Sequence, residues 1–425
     1  MRAVPPPSRR AARWRARAPA GDGAVPRVGA RHGSARPAWT RRAHGGPGQH
    51  RVGPRGHAAG DPARGAFAAL AARHPDPGGV AAYARRALGP IAARAAGYWF
   101  LFGVAAGGAV VALLGARYIS IVVGIDDAAV PVIALGFLTL PFISNLFGVR
   151  TAGWLQLGLT ALLMAVVVTV TALAAPAVEP ANFQPFLPHG WGGVGTAIVM
   201  FVWAFAGWEV GTHISGEFRR PDRTIPIATA VTLVVSGAAY LVLQVVTVGA
   251  LGDRAGEGDV VLLELARTGD LPAAPALIGG AAGIVALGVM NVYLAAFAKL
   301  GASLAAAGDL PAFFAKGVEN GRVPRRALLL TGGVVALYFG AALATGGDLQ
   351  PFILVHTASM VAIYVVGMIA AVRLLPRGTA GHRFASIAVV LTVALLPLAG
   401  IALIVPAALA LTAWTVQLLR RRSTS

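Results

Sequence analysis

Ten apolar runs divide the chain: 97–119, 128–147, 151–175, 194–214, 225–251, 274–305, 326–344, 351–375, 384–399 and 401–419. A helix needs about 20 predominantly apolar residues at 1.5 Å each to cross a bilayer core, and these runs predict spanning helices. The last two adjoin, so that residues 384–419 are apolar almost throughout. A single helix over that stretch would be about 54 Å long, against a core of about 30 Å. Pro397, Gly400 and Pro406 supply the breakers for a tight hairpin there. The pattern predicts an all-α polytopic membrane protein.

Composition agrees with that reading. Of 425 residues 56% are apolar and 12% charged, and mean hydropathy is +0.68. Soluble domains carry about 25% charged residues, so a soluble enzyme is excluded. The 54 glycines do not make a collagen, given so much aliphatic sequence. The absence of cysteine removes disulfides, thiolate nucleophiles and cysteine-based zinc sites. No G-x-x-x-x-G-K-[ST] loop occurs, so nothing supports an ATP-driven pump. No metal cluster or Ser/His/Asp constellation stands out either, and neither an enzyme nor a resident cofactor is expected.

The net charge of +19 is unevenly spread. Residues 1–64 hold 14 arginines and two acids, a balance of +12, and the other 361 residues carry 22 basic and 15 acidic residues. With residues 73–94 placed in the cytoplasm and the spans alternating, 18 basic residues fall on inner segments and three (Arg117, Arg254 and Arg267) on outer ones. Lys299 stays within a span, where it is expected to snorkel toward the inner face. Basic residues mark cytoplasmic loops, which supports an even span count and a cytoplasmic C-terminus ending in Arg420, Arg421 and Arg422. The expected location is the plasma (inner) membrane. The body's charge is then an orientation signal, and no nucleic-acid partner is needed to explain it.

Residues 1–64 are rich in Arg, Ala, Gly, Pro and His, too poor in aliphatics to offset chain entropy by burial. Three readings apply: a basic arm for anionic lipid or nucleic acid, a solvated tail, or GC-rich DNA read out of frame. The abrupt change of character near Gly65 favours the third. The division is thus 1–64, disordered or out of frame, and 65–425, a transmembrane domain.

The most informative run is 191–226, WGGVGTAIVMFVWAFAGWEVGTHISGEFRRPDRTIP, where Gly207 and Gly211 flank Glu209. A carboxylate inside a membrane costs several kcal/mol and is by default a functional hypothesis. Glycines there weaken the helix, and opened backbone is tolerated beside a polar cavity or buried in protein. Discontinuous helices of this kind bind substrates and coupling ions in secondary transporters. Glu209 is therefore a candidate for gating or coupling, with proton coupling the working expectation; pairing within the bundle is the alternative. Trp203 and Phe205 can serve as core aromatics or as a wall that stacks on substrate. With Ala206 and Gly207 they form the candidate substrate segment, joined by Gly108, Asn291 and Ser359 from other spans. His213 lies four residues beyond Glu209, on the same helical face, but without the further ligands a metal would need. Ser359 and His356 in span 351–375 are of a kind that internal hydrogen bonds commonly satisfy.

The motif W-x-F-x-G-x-E, carried by Trp203, Phe205, Gly207 and Glu209, precedes a basic loop with Pro221 and then Ile225, Pro226 and Ala228. It resembles the amino acid–polyamine–organocation (APC) permeases, and most closely their bacterial amino acid efflux branch. HPDPGGVAAYARRALGP resembles the entry to that family's third helix, and NVYLAAFAKLGASLAAAGDLPAFF its eighth helix and following loop. The likeness runs from about residue 66 to 419. It implies a LeuT-like inverted-repeat fold of twelve helices, of which about ten are expected here. It also implies alternating access, with substrate held between unwound first and sixth helices. By that likeness Trp203 stacks on substrate, Glu209 is the gating carboxylate, and Gly108 stands near a position that is polar in a relative, so specificity differs.

The first helix and most of the second have no counterpart, and the Arg-rich stretch stands in their place. Half of the implied binding site is therefore missing, and this chain is expected not to transport where a longer version would. The leading expectation is a secondary transporter of amino acids or related amines in the lipid bilayer. A polytopic sensor and a non-functional fragment are the alternatives.

Overall fold

Each apolar run folds as a helix, because in lipid every backbone N–H and C=O needs an internal partner. The computed structural model describes residues 62–74, 76, 78–148, 153–207, 220–256, 260–269, 273–317 and 323–423. These lie in one compact unit, His57–Ser425, and contain no strand. The expected arm 1–64 falls almost wholly outside the described residues, as do Glu209, Gly211 and His213.

Two short helices lead in, α1 (Pro62–Arg73) and α2 (Gly79–Leu88). The predicted span 97–119 is longer than its hydropathy suggested. It begins at Pro90 and runs as α3 (Pro90–Tyr98), a π-helical stretch Trp99–Val104, and α4 (Ala106–Val123). Arg94 stopped the apolar run early, but its side chain is paired in the protein and the helix continues through it. Then come α5 (Val130–Leu146), α6 (Gly153–Ala174) and α7 (Gly190–Phe205). The second half follows with α8 (Pro221–Leu251), the short α9 (Val261–Arg267), α10 (Ala274–Ala306) and α11 (Arg325–Ala344). Last are α12 (Gln350–Leu374), α13 (Ala380–Leu395) and α14 (Ile404–Ser423). The break between α13 and α14 is a 3-10 stretch, Pro397–Leu403, in which Gly400 turns at φ 54°, as the breaker residues predicted.

Among the described residues eight helical spans are long and apolar enough to cross a membrane, and α7 and α13 are shorter apolar helices. The protein is inside out relative to a soluble domain. Val132, Leu337, Val390 and Ile401 are among the large aliphatics on its exterior, each at least two-thirds exposed. The centre is built from small residues. Ala105, Ala106, Ala109, Ala112 and Ala116 of the α3–α4 span have no exposed surface, and this span packs against α10 and α12. Lipid is as apolar as leucine, so helices in it associate through close van der Waals contact and polar bonds, which small side chains permit.

Five of the arginines assigned to inner segments, Arg85, Arg94, Arg325, Arg326 and Arg373, bond to other parts of the protein. Arg94 bonds Asp309, beyond the end of α10, and reaches the carbonyl of Ala413 and Gln417 on α14. Arg85 of α2 also pairs with Asp309, Arg373 caps the carbonyl of Ala87, and Arg325 bonds that of Leu146. Arg326 bonds the carbonyl of Phe313 and lies 4.2 Å above its ring.

Candidate functional site

The site is set by a disturbance in the α3–α4 span. Through Trp99–Val104 the backbone widens into π geometry, and just beyond it the Gly108 N–H bonds the carbonyl of Ala105, a shorter register. Such turns alter the regular i→i−4 ladder and are frequent at functional sites. Here the Val104 carbonyl accepts from the Nδ1 of His356 at 2.9 Å, with the Tyr293 hydroxyl at 3.4 Å. One backbone oxygen therefore joins the π turn of the α3–α4 span to α10 and α12.

Two glycines make the contact possible. A Cβ on Gly107 would lie 2.4 Å from His356 Nδ1, and one on Gly103 would lie 2.1 Å from Ser359 Oγ. Only hydrogen at these positions lets α12 approach so closely.

Beside this junction is a cavity of about 730 Å³. Its walls come from α4 (Gly107, Gly108, Val111 and Gly115 among others), α10 (Ala281, Ala282, Ala286 and Met290 among others) and the end of α7. Smaller parts come from Leu163, Val166, Tyr240 and Leu262. The polar groups of the described lining are Trp203, His356 and the tyrosines 118, 240 and 293, and no charged side chain is among them.

α7 reaches this wall and stops. Its last residue is Phe205, Ala206 N–H closes on the Trp203 carbonyl at 3.0 Å, and Gly207 has φ +119°. That φ is in the left-handed half of the map, which favours glycine. The predicted span 194–214 is therefore a helix over residues 190–205 followed by a broken backbone, with residues 208–214 outside the described set. The break is held by Tyr240 of α8, whose hydroxyl donates to the Ala204 carbonyl at 2.9 Å and whose ring meets Phe205 edge-on at 4.9 Å.

Of the candidate residues, Gly108, Trp203, Ala206 and Gly207 come together on the cavity wall. Three stand outside the lining. Phe205 packs on Tyr240, Asn291 receives the Asn145 side chain through its Oδ1 (2.8 Å) and carbonyl (3.1 Å), and the Ser359 hydroxyl donates to Val355 O at 2.8 Å. Two lining residues, Tyr293 and His356, went unselected because hydropathy does not reveal which face of a long buried helix meets a cavity. His356 is 4% exposed, and its Nε2 has no hydrogen-bond partner among the described residues.

A bundle of apolar-surfaced helices around a cavity with no charged side chain among its described lining, reached by a broken helix, defines a polytopic membrane transporter. The chain belongs to the amino acid permease family, whose model matches residues 62–417. It is 29% identical over 352 residues to the uncharacterized amino acid permease YecA of Bacillus subtilis, covering 81% of this chain and 82% of that protein. It is 26% identical over 317 residues to the L-methionine/branched-chain amino acid exporter YjeH of Escherichia coli, with 73% and 74% covered. The branched-chain amino acid permease BcaP of B. subtilis is 28% identical over 206 residues, 46% of this chain and 44% of that protein.

Proposed function

We propose that this protein is a secondary active transporter of amino acids with apolar side chains, working by alternating access. The observation that carries the reading is the largely aliphatic lining of the cavity beside the broken end of α7, with no charged side chain among its described residues. A cationic or acidic side chain set against these described walls would lose its hydration without a counter-charge from them, whereas an aliphatic or thioether chain loses nothing. The relatives named for methionine and branched-chain amino acids support the same class. Trp203 forms the aromatic side of the site, and Glu209, two residues past Gly207, is the gating and proton-coupling carboxylate. The reading is of a transporter in the plasma membrane, not an enzyme, with its Arg-rich end and C-terminus in the cytoplasm.

The test uses the chain's lack of cysteine. In an Ala282→Cys variant the only thiol lies on the cavity wall. L-Leucine or L-methionine should protect it from a small thiol reagent, and L-arginine should not. Exchange of labelled leucine by the protein in liposomes would overturn the expectation that this chain does not transport, and its rate should then depend on pH in the wild type and not in Glu209→Gln. Neither protection nor exchange by any apolar amino acid would refute the substrate class, and a pH-dependent rate that persists in Glu209→Gln would refute the coupling role.

A further inference from the structure

Four arginines converge where α2, α3 and α14 meet the turn that ends α10. Arg94 bonds one oxygen of Asp309 at 2.9 Å, and Arg85 takes the other. Arg420 reaches the same turn from α14: a Cβ on Gly308 would lie 2.8 Å from one of its guanidinium nitrogens. Arg86 follows Arg85 on α2 and stands 3.5 Å from Asp76, which also accepts the Gly78 N–H. Among the described residues of this corner, four guanidiniums therefore face two carboxylates. Like charges gathered at the edge of a low-dielectric bundle repel one another, and a further anion relieves the excess. Arg94 is buried, whereas Arg85 keeps 35% of its side-chain surface and Arg420 is exposed. The same helices carry exposed apolar side chains, Ile91 on α3 and Leu411, Trp414 and Leu418 on α14.

From this arrangement we infer that the corner binds an anionic phospholipid, with its phosphate between Arg85 and Arg420 and its acyl chains along α14. The inference is independent of what the protein transports. Arginine forks match phosphate oxygens in pairs, and basic pockets between spanning helices take anionic headgroups. Asp309, itself fixed by Arg94, holds Arg85 in place, so part of the ordering cost of binding is already met in the folded protein. A zwitterionic headgroup brings an ammonium with its phosphate and offsets less of the positive excess. A dissolved phosphate has the same oxygens but no chains to lay against α14.

The test follows the melting temperature of the full chain in detergent on titration with dioleoylphosphatidylglycerol, dioleoylphosphatidylcholine or sodium phosphate. The anionic lipid should stabilise the wild type at concentrations where the other two do little. Arg85→Gln and Arg420→Gln, each compared with its own lipid-free melting temperature, should bind the anionic lipid about fivefold more weakly. Arg383→Gln, which removes an exposed arginine of α13, should bind it as the wild type does. Native mass spectrometry counts the retained lipid directly, so a variant of low stability still reports. Equal stabilisation by the two lipids, or an equal loss in Arg383→Gln, would reduce the effect to general surface charge and overturn the site. Stabilisation by sodium phosphate at the same concentration would overturn the lipid as its occupant. Unchanged lipid binding in both Arg85→Gln and Arg420→Gln would overturn the placement of the phosphate.

Discussion

Arg94 and Asp309 form an ion pair at 2.9 Å with side chains only 2% and 1% exposed, at the Arg-rich end of the bundle. Asp309 also takes Arg85, and its carbonyl accepts the Tyr98 hydroxyl at 2.7 Å. The Arg94 guanidinium divides its remaining donors between Ala413 O and Gln417 Oε1 on α14. One acid thus neutralises two arginines from different helices and ties α2, α3, α10 and α14 together. Removing one member of a buried pair leaves the other charged and unpaired, at a cost of about 3–5 kcal/mol. Asp309→Ala should therefore lower the melting temperature in detergent most, since it strands two cations. Arg94→Lys keeps the charge but loses the planar fork and should fall in between, and Arg85→Lys, whose side chain is 35% exposed, should cost least. Equal melting for Asp309→Ala and wild type would show that the pair does not hold this end.

Tyr83 of α2 presents the opposite case. Its side chain has no exposed surface and its hydroxyl has no partner among the described residues. Burial first, and then the nearby Asp76, raise its phenol above the ordinary range. The folded state therefore holds the proton to higher pH than the unfolded chain does. This contribution to stability is complete below about pH 10, the usual tyrosine value, and is lost as pH rises further. Tyr83→Phe removes both the unsatisfied hydroxyl and this alkaline sensitivity. It should melt at or above the wild-type temperature at neutral pH, with the gap widening in its favour above pH 10. A lower melting temperature at neutral pH would show that the hydroxyl has a partner in the folded protein.

The helices were legible because bilayer thickness writes itself into run length, and the breaks because glycine and proline leave few alternatives. Pro397 and Gly400 foretold the end of α13, and Gly207 the end of α7. The site was legible only in part. Trp203, Ala206, Gly207 and Gly108 line the cavity, and they were marked by the motif or by a glycine within a span. Asn291 and Ser359 were marked by polarity alone. In a membrane, polarity is equally well spent on a neighbouring helix or on the helix's own backbone, as Asn145 and the Val355 carbonyl show. The π turn left no local signature. Its evidence is a carbonyl bonded across three helices, a tertiary fact that no window of sequence contains.

The close approach of α12 to the π turn predicts an asymmetry among glycines. Gly107→Ala would push its methyl into the His356 ring, and Gly103→Ala into Ser359. Overpacking of this kind costs about 1–3 kcal/mol and displaces the partner. Both variants should melt lower and lose leucine binding. Gly136→Ala and Gly333→Ala, whose new methyls meet nothing within 4 Å, should melt at or above wild type, because alanine favours the helix by about 1 kcal/mol. Uniform behaviour of all four variants would mean that the helices are not so closely packed at the turn.

Sidedness follows from charge and can be read with single cysteines. The chain has none of its own, so each introduced thiol reports alone. Arg223 and Asp253 are both exposed and stand near opposite ends of α8. Loop 252–272 carries Asp253, Glu257, Asp259, Glu264 and Asp270, whereas the segment before α8 carries Arg219, Arg220 and Arg223. Lysine and arginine are retained on the cytoplasmic side, while acids contribute little to orientation. The arginine cluster therefore decides, and on the proposed topology the start of α8 lies inside. In intact cells a membrane-impermeant thiol reagent should label Asp253→Cys and spare Arg223→Cys until the membrane is opened. The reverse labelling would invert every loop of the protein. It would also turn the Arg94–Asp309 end of the bundle toward the outside, since Arg325, Arg373 and Arg420 alternate with the same spans.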